Sequence, residues 1–423
     1  MKIATFTVDV TPPIGHPLCG GWVGPALGIT HPLAAKGIVL DNGDGPVLLL
    51  AIDWCEISNR THLAWRTALA SAVGTSSSRV TVHTMHPHCT PWPDEYAQSL
   101  ASQYGDEFAI MDAAWCAGAF ERVAEGARTA MGNLQNVTHL TTGRAKVESV
   151  ASNRRIMGDD GTIKAVRWTR TTDPEVRAEP EGLVDPWLKT IAFWNGEAKL
   201  AVLHYYAVHP TSYDDAHITP DFTGLARERR QVEDGGIPHI YFTECAGNIT
   251  AGKYNDGATE NREVLTERVH RAMVESEEQM HRVDIDGFEW RTTSFHLAPR
   301  PDMNVEDLTA IMDDRDQHPK ARCRAALMLA YLERNDLPIE VSALHFGDAI
   351  SLLHLPGESF MEYQHLAQSL RPNSMVCVPA YADCGPGYIC MESSFAEGGY
   401  EPQDSFVAPE SEAVMRQIIA CVM

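Results

Sequence analysis

Residues 80–91, Val80-Thr81-Val82-His83-Thr84-Met85-His86-Pro87-His88-Cys89-Thr90-Pro91, carry an apolar strand straight into a loop with two histidines one residue apart. A strand whose C-terminal end opens onto reactive side chains is how α/β enzymes present chemistry. Side chains at i and i+2 of an extended segment project to one side, so both imidazoles are expected to converge on one ion, or on an ion and its water. Pro87 stiffens the loop and favours an extended backbone at His86. A pair of hydrogen-bonded loop histidines is the alternative reading. His83, three residues before His86, reads as structural.

Working outward, apolar runs and period-2 alternation predict strands at 2–9, 36–41, 47–53, 79–84, 190–195, 199–206, 239–243, 340–346 and 349–354. Helical spacing is clearest at Phe108, Met111, Trp115, Ala119 and Val123, and again at Leu265, Val269, Ala272 and Met273. Strands and helices interleave throughout, so the expected class is α/β. Turns at Asp41-Asn42-Gly43-Asp44-Gly45, Asn195-Gly196-Glu197 and Gly347-Asp348 are too short for a helical crossover, which predicts mixed sheets flanked by helices. No repeat or long linker divides residues 1–423, so one large catalytic domain is expected. Residues 302–335 read as two helices broken at His318-Pro319 and as a peripheral insertion. The proline- and glycine-rich stretch 10–33 reads as an ordered loop over a sheet edge, where substrate contacts are common.

Composition narrows the function. Lys and Arg total 34 against 57 Asp and Glu, a net charge of −23, which repels phosphate backbones and makes nucleic acid a poor partner. No apolar run is long enough for a membrane span, and MKIATFTVDVTPP lacks the apolar core of a secretory signal, so a cytoplasmic enzyme without stable membrane insertion is expected. The ten cysteines lie singly, with no CxxC pair, and read as reduced thiols and not as a disulfide framework.

Three further segments could carry chemistry. His209, in Val208-His209-Pro210-Thr211-Ser212, ends a second apolar strand, whereas His204 lies within that strand and reads as core. The loop of Asp214, Asp215, His217 and Asp221 reads as a solvated turn. Small residues in Thr243-Glu244-Cys245-Ala246-Gly247-Asn248-Ile249-Thr250 let the backbone approach a ligand and offer N–H groups to an oxyanion, with the Thr250 hydroxyl beside them. In His354-Leu355-Pro356-Gly357-Glu358 a carboxylate follows a buried strand and needs a partner, which a cation would supply.

Taken in order, Asp9-Val10-Thr11-Pro12-Pro13, Asp53, His86-Pro87-His88-Cys89-Thr90-Pro91, Asn153-Arg154, His209-Pro210-Thr211-Ser212, Ala246-Gly247-Asn248-Ile249-Thr250, Leu355-Pro356-Gly357-Glu358 and Gly398-Gly399-Tyr400-Glu401 resemble the neutral/alkaline (non-lysosomal) ceramidase family. The resemblance implies that family's catalytic-domain fold and a Zn2+ cofactor held by His86, His209, Glu358 and Tyr400. It implies His88 as the acid/base beside the zinc's water, which attacks an amide carbonyl. Arg154 is implied to bind a polar part of the substrate or to support the oxyanion, and Tyr388, in Gly387-Tyr388-Ile389, could donate to that oxyanion.

The chain departs from the family pattern in places. The usual Asn-Ala-Gly-Asp-x-Ser block reads Cys245-Ala246-Gly247-Asn248-Ile249-Thr250, which argues against a serine nucleophile. The usual His-Thr-His-Ser reads His86-Pro87-His88-Cys89, which keeps both imidazoles. No residues remain for the C-terminal β-sandwich of the long family members. The expectation is therefore a zinc-dependent hydrolase of a linear amide bond in a soluble small-molecule N-acyl compound. An ester or lactone hydrolase on the same scaffold, or a non-catalytic metal-containing binding protein, are the alternatives. A barrel-type amidohydrolase ranks below these, because eight repeated βα units are not visible. Oligomeric state and the identities of the acyl and amine groups are not readable from sequence.

Overall fold

Turns rich in glycine and asparagine close the predicted hairpins, and the strands they join assemble into three mixed sheets. The computed structural model describes all 423 residues. The first sheet orders its five strands as Val80–Thr84, Val47–Ile52, Ala34–Asp41, Lys2–Asp9 and Gln135–Asn136. The second orders His239–Thr243, Ala198–Tyr206, Trp187–Asn195, His139–Lys146 and His281–Val283. The third, of four strands, runs Glu289–Phe295, Ile339–Phe346, Ile350–His354 and Met375–Cys377. All nine predicted strands are present. His139–Lys146 and Glu289–Phe295 were not expected, because Gly143 and the run of polar residues at 289–294 break the apolar pattern.

Each sheet is antiparallel except for one parallel pair at its edge: Val47–Ile52 with Val80–Thr84, Ala198–Tyr206 with His239–Thr243, and Ile350–His354 with Met375–Cys377. One face of each sheet meets the other two in a shared core that includes Leu49, Leu203, Phe242, Leu344 and Leu352, all fully buried. On its other face the first sheet packs Leu48, Leu50 and Val82 against the helices Asn59–Val73 and Ala113–Ala130. The second carries Asp221–Glu233 and Asn261–Glu278. Gly143 lets the latter helix approach, since a Cβ there would stand 1.9 Å from the Ser276 carbonyl oxygen.

Two expectations are corrected. The helix predicted from Phe108 starts only at Ala113, because the Asp112 carboxylate caps it and accepts from the Trp115 N–H at 3.0 Å. The 302–335 segment does form two helices, Val305–Asp313 and Pro319–Glu333, with the His318 ring capping the second. It is not peripheral, however. Lys320, Cys323, Arg324 and Leu327, spaced as one helical stripe, line the cavity that holds His86, His88 and His209. The 10–33 loop reaches the same place through Cys19, Gly20 and Trp22.

His83 ties the first two sheets to the segment that follows the third. Its ring Nε2 accepts from the Thr243 N–H at 3.0 Å, which leaves Nδ1–H to donate to the Ala380 carbonyl at 2.6 Å. The structural reading of His83 therefore holds. So does that of His204, whose two nitrogens face Thr190 Oγ1 at 2.9 Å and His239 Nδ1 at 2.8 Å. No helix is long and apolar enough to cross a membrane.

Candidate metal centre

The parallel edge of each sheet delivers reactive side chains shortly past a strand end. Val80–Thr84 leads to His86 and His88, Ala198–Tyr206 to His209, and Ile350–His354 to Glu358. Links across the sheet junctions hold these ends together: Thr84 N–H donates to the Tyr381 carbonyl at 3.1 Å, and Ala380 N–H to the Thr243 carbonyl at 3.1 Å. Three segments more than a hundred residues apart thus meet in one place.

His86 does not have the extended backbone expected before a proline; its φ is +71°. The conformation is imposed from outside, by its N–H donating to the Trp54 carbonyl at 3.0 Å and by its ring stacking on Tyr381 with centroids 4.5 Å apart. Tyr381 (φ +57°) and Cys19 (φ +48°) are likewise left-handed beside the site. Such strain persists only where the surroundings over-determine it.

His86 Nε2 lies 3.4 Å from Glu358 Oε2, and His209 Nδ1 lies 3.7 Å from the same oxygen. Donor atoms bound at about 2.0–2.1 Å around a tetrahedral Zn2+ stand roughly 3.3 Å apart, so this spacing fits that ion. Glu358 Oε2 and His209 Nδ1 are buried and have no hydrogen-bond partner, which is costly for polar atoms unless a ligand satisfies them. His86 Nδ1 faces the Cys55 carbonyl at 3.1 Å, so its proton belongs there and Nε2 keeps a free lone pair. Two imidazoles and one carboxylate, open on the cavity side, are a donor set that could hold a metal ion.

Burial holds His86 and His209 well below the usual imidazole range, so both are neutral, as ligands must be. Burial also pushes the Glu358 carboxyl up to about 8, against the opposing pull of the Arg154 and His88 charges. The Glu56 carboxyl, 3.5 Å from His86 Nδ1, is raised well above its ordinary value by burial and then by Glu358. Two buried carboxylates flanking one imidazole are best served by a cation.

His88 stands beside the trio, Nε2 to Nε2 at 3.0 Å from His209, with its Nδ1 3.5 Å from Asp214 Oδ1. Burial lowers His88, but the hydrogen bond and charge of Asp214 more than reverse this and lift it to about 9. Asp214 is thus part of the site and not the solvated turn expected. No local signal marks it, since its neighbours are polar and its partner lies 126 residues earlier.

Arg154 is not a surface salt-bridge residue. It is buried, its Nε donates to the Ile249 carbonyl and its Nη1 to the Tyr388 hydroxyl, each at 3.3 Å, and its Nη2 has no partner. Tyr400 stands on the same wall, with Tyr388 and Tyr400 hydroxyls 3.0 Å apart and the Arg154 guanidinium 5.5 Å from the Tyr400 ring centre. Tyr400's polar contact is with Tyr388 and not with the histidines. Thr250 is not brought to the cavity: it is fully buried in a short strand paired with Ser152-Asn153, and its hydroxyl has no partner. The glycine loop supports the site from behind, because Gly247 N–H donates to the Ser359 carbonyl and a Cβ at Gly247 would stand 2.2 Å from the Glu358 carbonyl oxygen.

These groups line a cavity of roughly 420 Å³. Trp22, Trp92, Trp168 and Phe406 supply its apolar wall, and Trp22 and Trp168 stay half exposed at the mouth.

No protein-family profile matches the chain, and no curated protein does. Among solved structures, the whole chain is similar to a ceramidase complexed with C2, with a TM-score of 0.72 at 13% identity over 74% of that chain. It is also similar to the neutral ceramidase from Pseudomonas aeruginosa, with a TM-score of 0.71 at 15% identity over 73% of that chain. The α/β fold, with mixed sheets flanked by helices, is therefore the neutral ceramidase fold, as the spaced sequence blocks imply.

Proposed function

We propose that this fold houses a zinc-dependent hydrolase of a linear N-acyl amide. The observation that carries the reading is the convergence of two unpartnered buried donors, Glu358 Oε2 and His209 Nδ1, with His86 Nε2, next to a histidine backed by Asp214. His86, His209 and Glu358 would hold the ion, with Tyr400, the fourth ligand the resemblance implies, turned to Tyr388 on the cavity wall beside them. A bound Zn2+ supplies Lewis-acid polarisation of the carbonyl and acidifies water at neutral pH.

The protein's own groups do the rest. His88, held by Asp214, takes a proton at Nε2 from water as the water oxygen adds to the carbonyl carbon, and returns it to the departing nitrogen as the C–N bond breaks. The products are a carboxylic acid and an amine. Arg154 Nη2, with the Tyr388 hydroxyl it touches, offers donors to the oxygen that gains charge. The wall aromatics exclude bulk water and grip the acyl group. A cavity of roughly 420 Å³ suits a compact N-acyl compound better than a lipid with two long chains. Ten unpaired thiols, nine of them buried, support a reducing, cytoplasmic setting.

The test is hydrolysis of a panel of N-acyl amines and matched esters by zinc-loaded protein, with metal content measured alongside. His88→Ala is expected to keep its zinc and lose about 10²–10⁴ in kcat. Glu358→Gln is expected to lose both. Full turnover by His88→Ala, or active protein free of transition metal, would sink the proposal.

A further inference from the structure

The cavity does not share the acidic surplus of the protein. The chain has 34 basic against 57 acidic residues, yet Arg154, Arg170, Lys320 and Arg324 line the cavity against an equal number of acidic residues, Glu56, Asp214, Glu358 and Asp404. The acidic members are already committed. Glu56 and Glu358 flank His86, Asp214 backs His88, and Asp404 pairs with Arg324 at 2.7 Å. Arg170 and Lys320 are in no ion pair. Lys320 is held over the Trp22 ring at 5.3 Å, on the helix stripe that forms the mouth, and Arg170 packs its stem against Gly257 across from it. Both lie on the flank of the site where His88 stands: the Trp22 loop is tied to the His88 loop by the Cys19 N–H donating to the Thr90 carbonyl at 2.7 Å, and Asn255 Nδ2 donates to the Thr169 and Ser212 carbonyls, which brings Arg170 beside the Asp214 loop. That flank is the leaving-group side, because His88 hands its proton to the departing nitrogen. Arg154, by contrast, reaches the Tyr388 hydroxyl at 3.3 Å and belongs to the carbonyl side.

We infer that the amine half of the substrate carries an anionic group, so that the substrates are N-acyl amino acids whose carboxylate is received by Arg170 and Lys320 at the cavity mouth. The inference rests on the proposed amide hydrolysis and adds the class of the leaving amine. An unpaired cation pair over an aromatic mouth attracts a carboxylate during approach and orients it in the complex, and in an acidic protein it also offsets the general repulsion of anions.

The experiment compares an N-acylglycine with the glycinamide of the same acyl chain, using zinc-loaded protein at low and high salt. A kcat/KM advantage of about tenfold or more for the acid at low salt is expected, shrinking with added salt. The double variant Arg170→Gln/Lys320→Gln is expected to lose that advantage, while Arg282→Gln, an exposed charge outside the cavity, keeps it. Equal turnover of acid and amide, or an advantage that survives in the double variant, overturns the inference and leaves amide hydrolysis standing. If neither compound is cleaved, the proposed function fails, and binding of the same two compounds by tryptophan fluorescence decides the charge question separately. Tighter binding of the acid that disappears in the double variant supports it; equal binding of both compounds refutes it.

Discussion

At the scale of single residues, the site works by giving the same side chain different tasks in different surroundings. His86, His209 and His88 sit within a few ångströms of one another, but burial lowers the first two while Asp214 holds the third up. This contrast predicts a pH effect. Asp214 raises His88, so Asp214→Asn lowers it. The acidic limb of the kcat/KM profile, set by the proton His88 must lose before it can accept one from water, is then expected to move to lower pH by one unit or more in the variant. A pH–rate series on both proteins checks this, and superimposed acidic limbs would remove Asp214 from the proton path. The positive φ of His86 fits the same logic, since a strain of about 1–3 kcal/mol aims the ring at Glu358.

At the scale of elements, two glycines matter through space they leave empty. Gly247 has the Glu358 carbonyl oxygen 2.2 Å from where a Cβ would be. Gly247→Ala must shift the backbone that carries the ligand, and a zinc affinity at least about tenfold weaker is expected, read by chelator competition. Gly143 meets the Ser276 carbonyl oxygen of the helix Asn261–Glu278 at 1.9 Å, far from the site. Gly143→Ala is expected to cost roughly 1–3 kcal/mol in denaturant titrations with zinc affinity unchanged. Comparison of the two variants separates a fold effect from a site effect. The helix Pro319–Glu333 makes a related point. Its start at His318-Pro319 was legible, but the stripe Lys320, Cys323, Arg324 and Leu327 acquires meaning only because the helix lies across the cavity.

At the scale of the whole molecule, three sheets are held in register by a few buried polar links, and these respond to acid. His83 joins the first two sheets and the segment that follows the third only as a neutral ring that accepts at Nε2 and donates at Nδ1. Burial depresses it to about 3, and His62 to about 4. Each folded value is below the unfolded value near 6.5, so the unfolded state binds more protons between them. Stability is then fully present above pH 6.5 and is lost as pH falls toward the folded values, by a few kcal/mol per histidine. Urea midpoints at pH 7 and pH 4 should show the loss, and His83→Gln should flatten it; identical pH dependence in the variant would refute the assignment. The Arg227–Asp53 pair, bidentate at 2.6 and 3.0 Å and wholly buried, is a second such link. Asp53→Ala is expected to cost about 3–5 kcal/mol, because it strands a buried guanidinium.

The α/β class, the hairpins and the nine strands were readable from the chain alone, and the family resemblance of its spaced blocks supplied His86, His209 and Glu358 as candidate ligands. Apolar periodicity and turn residues are local patterns that burial and backbone geometry impose directly on sequence. The places of Asp214, Glu56, Lys320 and Arg170 at the cavity, the strained backbone of His86 and the distance of Thr250 from the cavity were not readable. They depend on which strand ends face one another across three sheets, and that is settled by packing between segments hundreds of residues apart, where no local pattern carries the information.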